Sequence, residues 1–189
     1  MMAFKIRVIR SLTLVSLLSL LCGSTAWAAP IFNGTTGHWY DLVSSDTDGS
    51  WLTAETNAIA LGGHLVTIND AAEEAWLRSN FGGGTRFWIG FNDAALEGTF
   101  VWSSGEAVTY TNWNSGEPNN AMPPSEGEDY AVLNWNTGNG AWNDWSHLRP
   151  DYGANLYGIA EWSPVPEPAS LLLLGFGLAG LGLSRRRSG

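Results

Sequence analysis

Side chains with oxygen atoms concentrate in three short segments in the second half of this 189-residue chain. The segments are Glu117-Pro118-Asn119, Glu128-Asp129 and Trp142-Asn143-Asp144, and together they span 28 residues. Hard cations such as calcium bind several carboxylate, carboxamide or carbonyl oxygens at once. We therefore predict a calcium site, open on one side, that is formed by Glu117, Asn119, Glu128, Asn143 and Asp144.

The same segments are predicted to be loops, because they are rich in Gly, Asn, Pro and Trp and show no sustained periodicity. Pro118 stands between two candidate ligands, and a cis bond before it would turn both flanking side chains to one side. Regular structure is sparse from Tyr110 to Arg149, and loop regions of this length are usually functional or disordered. The four tryptophans of this region favour order.

Two helices and several strands are predicted to hold these loops. Ser50 caps a helix over Trp51–Leu61 that ends at Gly62. Asp70 and Glu73 form a capping box for a helix that continues to Asn80 and packs by Ala72, Trp76 and Leu77. Strands are predicted at His38–Val43, Leu65–Ile68, Phe87–Phe91, Phe100–Trp102, Tyr130–Leu133 and Tyr157–Trp162, with a short piece around Trp142. This order indicates an α+β domain.

Charge is distributed unevenly along the chain. Residues 11–184 hold three basic residues and all 18 acidic ones, a formal net charge of −15, and the other six basic residues lie at the two ends. Such an acidic body disfavours nucleic-acid binding, because no basic face remains to neutralise phosphates. It fits a cation binder or a soluble extracellular surface.

Both ends of the chain have the composition of targeting segments. Residues 1–28 combine basic positions, an apolar run and a small-residue end, which predicts a cleaved secretory signal. Lipid attachment at Cys22 is the alternative, disfavoured by the bulky Leu21 before it. Residues 164–189 combine a Pro-rich linker, an apolar stretch and an arginine cluster. As a helix the apolar stretch 169–183 would span about 22 Å of a hydrocarbon layer of about 30 Å, which fits transient inner-membrane association.

The C-terminal tail resembles the PEP-CTERM sorting signal of Gram-negative bacteria. The resemblance rests on Val165-Pro166-Glu167-Pro168, the Leu/Gly-rich stretch that follows and the arginines at 185–187. It implies processing by an exosortase-type enzyme, often in cells that make exopolysaccharide. It also implies export through the inner membrane to a secreted or cell-surface location.

Residues 37–163 resemble the C-type lectin-like domain. The order and approximate spacing of five motifs carry the resemblance: Gly63-His64-Leu65-Val66-Thr67-Ile68, Trp88-Ile89-Gly90, Glu117-Pro118-Asn119, Gly127-Glu128-Asp129 and Trp142-Asn143-Asp144. It implies that residues 29–163 fold as two helices against small antiparallel sheets, with a long calcium- and sugar-binding loop region.

The resemblance also implies a role for each matched position. Glu117, Asn119, Glu128, Asn143 and Asp144 match ligands of the principal calcium ion, with Asp144 contributing both its side chain and its carbonyl. Glu-Pro-Asn accompanies mannose-type sugars in this family, so a mannose-, fucose- or glucose-like carbohydrate is the expected partner. A weaker auxiliary calcium site would use Asp93, Glu97, Asn120, Glu128 and Asp129.

Cysteines that the family uses for disulfides are absent. Tyr130, His147 and Ala160 stand at three of those positions, no cysteine lies near Ala60, and Cys22 is the only cysteine of the chain. Since the loss of a disulfide costs about 2–5 kcal/mol, packing is expected to compensate.

Several alternatives stay beside this interpretation. Asp46-Thr47-Asp48-Gly49 lacks the later ligands of an EF-hand and is interpreted as a turn. Glu126 and Glu128 form a conceivable glycosidase pair, but metal-bound carboxylates are poor general acids, so no enzyme is expected. The main alternative is a matrix or surface protein that uses the fold for protein interaction or structure without binding sugar.

The histidines and tryptophans are interpreted mainly as structural. The three histidines, at 38, 64 and 147, share no metal-ligand spacing. Trp88 and Trp142 are assigned to the core, and Trp113, Trp135 and Trp145 are either buried or stack on a sugar.

Overall fold

The structure, a computed structural model, describes residues 29–45, 49–122, 127–136, 139–147 and 156–164. The predicted signal segment, Asp46 and Asp48 of the turn, Glu126 and the tail beyond Pro164 lie outside these residues. Within the described ranges, no helix is both long enough and apolar enough to cross a membrane.

Two helices and eight strands make up the described part of the chain. In order they are β1 (Ile31–Asn33), β2 (His38–Val43), α1 (Trp51–Ala60), β3 (His64–Leu65), α2 (Ala71–Phe81), β4 (Phe87–Asn92), β5 (Val101–Trp102), β6 (Tyr130–Leu133), β7 (Asn143–Trp145) and β8 (Tyr157–Trp162). The predicted α+β class is therefore confirmed.

The strands differ from the predictions in three places. β1 was not predicted, and Phe100 lies outside β5. The strand predicted over Leu65–Ile68 is shorter and begins at His64. The backbone beyond it still contacts the sheet, because the Val66 amide donates to the Ile159 carbonyl at 2.7 Å.

The strands form one sheet in the order β1-β2-β8-β4-β6-β7, with β3 added on β8 and β5 on β4. Among the described strands every pairing is antiparallel except that of β4 with β8, which is parallel. The sheet is thus mixed, and it brings the last strand between the second and the fourth. This arrangement places β7, which carries Asn143 and Asp144, at one edge of the sheet, next to β6, which follows Glu128 and Asp129.

Alternation along the central strands creates a core on each face of the sheet. In β4, Ile89 and Phe91 belong to one core and Trp88 to the other. Because successive side chains of a strand point to opposite faces, a continuous apolar run fits a strand buried on both sides. α2 contributes Leu77 to the first core, and α1 contributes Ala54 to the second.

Both helices begin at the predicted caps. The Ser50 side chain accepts from the Thr53 amide at 3.2 Å. Asp70 Oδ1 accepts from the amides of Ala72 and Glu73 at 2.9 and 2.8 Å. The reciprocal half of the capping box differs from the prediction, because Glu73 Oε2 accepts from the amide of Asn69, at 2.9 Å, and not from that of Asp70.

The predicted packing side of α2 is confirmed for Leu77 and Trp76, which belong to or pack against the first core, and is wrong for Ala72. Its buried residues are Glu73, Glu74 and Leu77, whereas Ala72 is exposed and Trp76 is half-buried. Two carboxylates occupy the inner face because donors from distant parts of the chain satisfy them, as described below for Glu74. The polarity pattern of the helix alone cannot predict these distant donors.

An aromatic contact occupies two of the positions where the resemblance implies cysteines. The rings of Tyr130 and His147 lie 5.2 Å apart at 84°, edge to face. Such pairs contribute about 0.5–1.5 kcal/mol beyond the area they bury, against about 2–5 kcal/mol for a disulfide. The contact therefore compensates for part of the missing covalent link.

Candidate functional site

A buried carboxylate of α2 holds two parts of the long loop region together. Glu74 is 4% exposed. It accepts from the Tyr110 hydroxyl at 3.2 Å, from Asn112 Nδ2 at 2.9 and 3.1 Å, and from Trp142 Nε1 at 3.2 Å. The Trp142 amide in turn donates to the Asn112 carbonyl at 2.8 Å. Glu74, which sequence reasoning did not single out, thus fixes the backbone that leads to the first and third ligand segments.

The first ligand segment turns at Pro118. The Glu117–Pro118 peptide bond is cis, the isomer that the sequence analysis considered. Glu117 is half-buried, whereas Pro118 and Asn119 are exposed. This segment therefore forms the outer side of the candidate site.

Asp144 of β7 joins the third segment to the first. Its carboxylate is 1% exposed. Oδ1 accepts from the Asn119 amide at 3.1 Å, and Oδ2 accepts from the amides of Asn119 and Asn120 at 3.0 and 2.8 Å. The Asp144 carbonyl accepts from Asn143 Nδ2 at 2.6 Å. The predicted ligand oxygens of Asp144 are therefore hydrogen-bonded within the protein, although each retains lone-pair capacity.

Glu128 brings the second segment to the same place. Its Oε2 accepts from the Ala121 amide at 2.5 Å, and its own amide donates to Asn120 Oδ1 at 3.0 Å. Glu128 and Asn143 are 4% and 3% exposed. The three segments thus converge on a site whose inner ligands are buried and whose outer side, at Asn119, is open.

The carboxyl groups of the site repel one another. Burial raises the pKa of Glu117 to about 7, and the charge and hydrogen bond of Asp144 and the charge of Glu128 add to the shift. Burial also raises the pKa of Glu128, with a further contribution from Asp144. Three acidic groups in one partly desolvated place are stabilised by a bound cation.

Two oxygens of the site are buried without a hydrogen-bond partner, Glu117 Oε2 and Asn143 Oδ1. An unsatisfied buried acceptor costs about 1–3 kcal/mol. Within the described residues, no group of three or more His, Cys, Asp and Glu side chains is arranged to hold a metal ion. Two of the five candidate ligands are asparagines, which fall outside such a group. The donor set itself, all oxygen with two acceptors lacking donors, fits calcium.

The residues proposed for the auxiliary site also lie near one another. Asp93 is 3% exposed, and its amide donates to the Asp129 carbonyl at 3.0 Å. Its Oδ2 accepts from the Gly98 amide at 2.8 Å, while its Oδ1 is buried without a partner. Burial raises the pKa of Asp93 to about 6, and the charges of Glu97 and Asp129 add to this. Asn120 differs, because its Oδ1 is bonded to the Glu128 amide.

The tryptophans of this region are mostly part of the core. Trp142 is fully buried, Trp88 is 1% exposed and Trp145 is 7% exposed. Trp113 is half-buried and packs edge-on against Phe100 at 4.8 Å. Trp135 is half-buried between Trp145, at 4.6 Å, and the guanidinium of Arg86, which lies 4.3 Å from its ring centre. Burial, the alternative to sugar stacking, therefore holds for Trp145.

Comparison with known proteins gives two family matches. A family model described as the lectin C-type domain matches residues 47–150. A second, described as the PEP-CTERM protein-sorting motif, matches residues 164–187.

Individual relatives agree with the first match. Lectin BRA-3 of Megabalanus rosa is 43% identical over 83 residues, 44% of this chain and 48% of that protein. The low affinity immunoglobulin epsilon Fc receptor of Mus musculus is 40% identical over 94 residues, 50% of this chain and 26% of the receptor. The matched region thus spans about half or less of these curated relatives. Among solved structures, the cow C-type carbohydrate-recognition domain of CD23, in the presence of GlcNAc2Man3 oligosaccharide, has a TM-score of 0.59 and 26% identity over 75% of this chain and 98% of that one.

Proposed function

The chain belongs to the C-type lectin domain family and carries a PEP-CTERM sorting motif, and on this premise we propose that it is an exported, calcium-dependent carbohydrate-binding protein. The observation that carries the proposal is the meeting of Glu117, Glu128 and Asp144, with Glu117 Oε2 and Asn143 Oδ1 buried and unpartnered. A cation would neutralise the three acids and satisfy both oxygens. The protein acts by binding and carries out no catalysis.

The chain's own residues have distinct parts in this proposal. Glu117, Asn119, Glu128, Asn143 and Asp144 would hold calcium, which supplies coordination positions for two neighbouring sugar hydroxyls. Glu117 is suited to accept a hydrogen bond from such a hydroxyl, and the Asn119 amide is suited to donate one. The exposure of Asn119 gives a sugar access from solvent. Asp93, Glu97, Asp129 and Asn120, with Glu128, would form the auxiliary site.

The sugar is proposed to be mannose-, fucose- or glucose-like, presented on exopolysaccharide or on cell-surface glycans. This assignment rests on Glu117-Pro118-Asn119 and on the sorting motif. The motif also supports export in a Gram-negative bacterium, transient contact of residues 164–189 with the inner membrane and processing by an exosortase-type enzyme. Residues 1–28 would act as the signal peptide, and residues 29–163 would be the binding domain.

Glycan-array binding of the purified protein tests the proposal. Binding to mannose-type glycans is expected in calcium and should disappear in excess EDTA. The double substitution Glu117→Gln with Asn119→Asp is expected to move the preference toward galactose, because the hydrogen-bonding pattern at the open side is exchanged. Binding that persists in EDTA would overturn the calcium-dependent site.

A second candidate function is protein interaction or a structural role without sugar. The observation in its favour is that Asp144 already closes the loop through the amides of Asn119 and Asn120. Under this function, Glu117→Gln combined with Asn119→Asp would leave the binding of a protein partner unchanged. The protein would bind no glycan on the array.

A further inference from the structure

A cavity of about 220 Å³ lies outside the segments that carry the proposed calcium ligands. It is bordered by the first residue of β2, by the turn from α1 into β3, by the loop after β5 and by the end of β8. Its polar and aromatic lining includes His38, His64, Ser104, Glu106, Glu161 and Trp162. Neither the proposed calcium site nor the sugar site uses these residues.

Each histidine of the cavity is oriented by a glutamate. His38 Nδ1 contacts Glu161 Oε1, and His64 Nδ1 lies 2.7 Å from Glu55 Oε1. Glu161 and Glu55 are 8% exposed. Because each Nδ1 faces a carboxylate, Nε2 is the ring nitrogen left for a ligand in both cases. Two imidazoles with fixed orientations therefore line one cavity.

The carboxylates around the cavity are themselves held in place. Glu161 Oε2 accepts from the Thr67 amide at 2.9 Å, and Glu55 Oε2 accepts from the Leu65 amide at 2.8 Å. At the exposed rim, Glu106 Oε2 accepts from Asn69 Nδ2 at 3.0 Å. These hydrogen bonds indicate a preformed site, since a ligand would not have to order its polar groups.

The lining of the cavity is acidic. Its carboxylates are Glu106 and Glu161, and with these ionised and both imidazoles neutral the lining carries a net negative charge. The lining residues include no lysine and no arginine. A ligand with a positive charge and several donors complements such a site, and an anionic ligand is disfavoured.

Trp162 adds an apolar wall to this polar lining. It is half-buried and belongs to the margin of the second core. The face of an indole ring stabilises a nearby ammonium group and also packs against the carbon face of a sugar ring. The cavity therefore offers one aromatic surface and several acceptors, in a volume that admits a single ring.

We propose that this cavity binds an amino sugar through its protonated amine, independently of calcium. The ammonium group would contact Glu106 and the imidazole nitrogens, and the sugar ring would lie against Trp162. The choice of a sugar as carrier of the amine rests on the proposed function, and the site adds a second, charge-selective contact for a partly deacetylated polysaccharide.

Calorimetric titration of the full-length protein in excess EDTA tests the proposal. The probe is a glucosamine tetrasaccharide with protonated amines, and the comparison ligands are its fully N-acetylated form and a simple diamine. Only the glucosamine form is expected to bind. Because EDTA removes calcium, failure of the proposed calcium site does not affect this result.

Matched variants locate the binding. Glu106→Gln is expected to weaken it about fivefold, the upper range for an exposed charge pair. Ser163→Arg places a positive charge at an exposed lining position and is expected to abolish it. Asp41→Asn makes the same charge change on β2 outside the cavity lining, can keep the acceptor for the Leu42 amide and should leave binding unchanged.

Three results would overturn the proposal. Equal binding of the N-acetylated ligand would remove the role of the amine, and equal binding of the diamine would remove the role of the ring. An equal loss in Asp41→Asn and Glu106→Gln would show nonspecific attraction to an acidic protein. Melting curves of each variant establish that it is folded, and Glu106→Gln, at an exposed position, retains the test if Ser163→Arg does not fold.

Discussion

Two glutamates, Glu74 on α2 and Glu117 in the long loop, show how differently the same chemical group is used in two regions of the molecule. The carboxylate of Glu74 receives hydrogen bonds from Tyr110, Asn112 and Trp142, all of them neutral donors. Glu117 Oε2 receives none, and the neighbours that shift its pKa upward are the acids Asp144 and Glu128. The first region is complete with protein atoms alone, whereas under the proposed function a cation would complete the second.

The largest expected effect is at Glu74. Glu74→Gln replaces one acceptor oxygen by an NH2 group, which leaves a buried donor without an acceptor. The free energy of unfolding should fall by about 2–4 kcal/mol, with or without calcium. Urea denaturation measures the change. In EDTA, Glu97→Gln, at an exposed position, is the control and should stay within about 0.5 kcal/mol of the wild type. An equally small effect of Glu74→Gln would contradict the structural role of Glu74.

Calcium should stabilise the protein through the loop region. At a free calcium concentration 100 times the Kd, the unfolding free energy is expected to rise by about 2.7 kcal/mol, because the ion binds the folded state only. Melting curves in calcium and in EDTA give the increment. Glu74→Gln should show the same increase with calcium, although its unfolding free energy is lower in both conditions. Glu117→Gln should lose most of the increase. The same increment in Glu117→Gln would remove Glu117 from the ligand set.

A Glu→Gln substitution in the loop should have the opposite effect on the unfolding free energy from Glu74→Gln. In EDTA, Glu117→Gln removes a charge that faces Asp144 and Glu128, so the unfolding free energy should rise by up to about 1 kcal/mol. Asn119→Asp adds a charge to the same place and should lower it. Denaturation in EDTA compares the two variants, and a loss of stability in Glu117→Gln would end the contrast with Glu74.

The smallest expected effect concerns Glu73 and Glu161, two glutamates that share the Tyr40 hydroxyl. The Tyr40 hydroxyl has one proton but lies 2.8 Å from Glu73 Oε1 and 3.1 Å from Glu161 Oε1. Burial raises the pKa values of both glutamates above their ordinary 4.5. Asp70 and Glu106 add to these shifts, and His38 opposes the one at Glu161.

The sign of the pH dependence follows from these shifts. A raised pKa means that the folded state binds protons more tightly than the unfolded state. The unfolding free energy should therefore fall as the pH rises above about 4.5. Glu73→Gln should flatten this slope relative to the wild type in denaturation series at several pH values. An unchanged slope would show that Glu73 does not titrate in this range.

Elements whose causes are local could be predicted from the sequence. Ser50 and Asp70 cap their helices because the bonded amides lie two or three residues away. The apolar run at Phe87–Phe91 forms a strand because its neighbours on both faces are apolar. The strand prediction at Leu65–Ile68 was too long, because strand length depends on the partner strand. The register with β8 covers His64 and Leu65, and beyond them the Val66 amide adds a single hydrogen bond to β8.

Features that depend on distant partners could not be predicted. Ala72 was placed on the inner side of α2, but Glu74 lies there, since its donors Tyr110 and Asn112 follow 36 and 38 residues later. His38 and His64 were interpreted as structural, and each is held by a glutamate. The cavity that they share depends on distant parts of the chain and could not be predicted. The convergence of the ligand segments was predicted from their residue types and from the family resemblance. The hydrogen bonds that the Asn119 and Asn120 amides donate to Asp144 were not predicted.

The edge-to-face contact of Tyr130 with His147 lies where the family resemblance implies a disulfide, so folding of this domain does not depend on an oxidising compartment. With no thiol between residues 29 and 163, folding requires neither an oxidant nor an isomerase to sort linkages. A reducing agent should leave its melting midpoint unchanged, and production in a bacterial cytoplasm should give the same folded product as export. Any cysteine introduced at an exposed position of the domain then becomes the sole target for a thiol-reactive probe there.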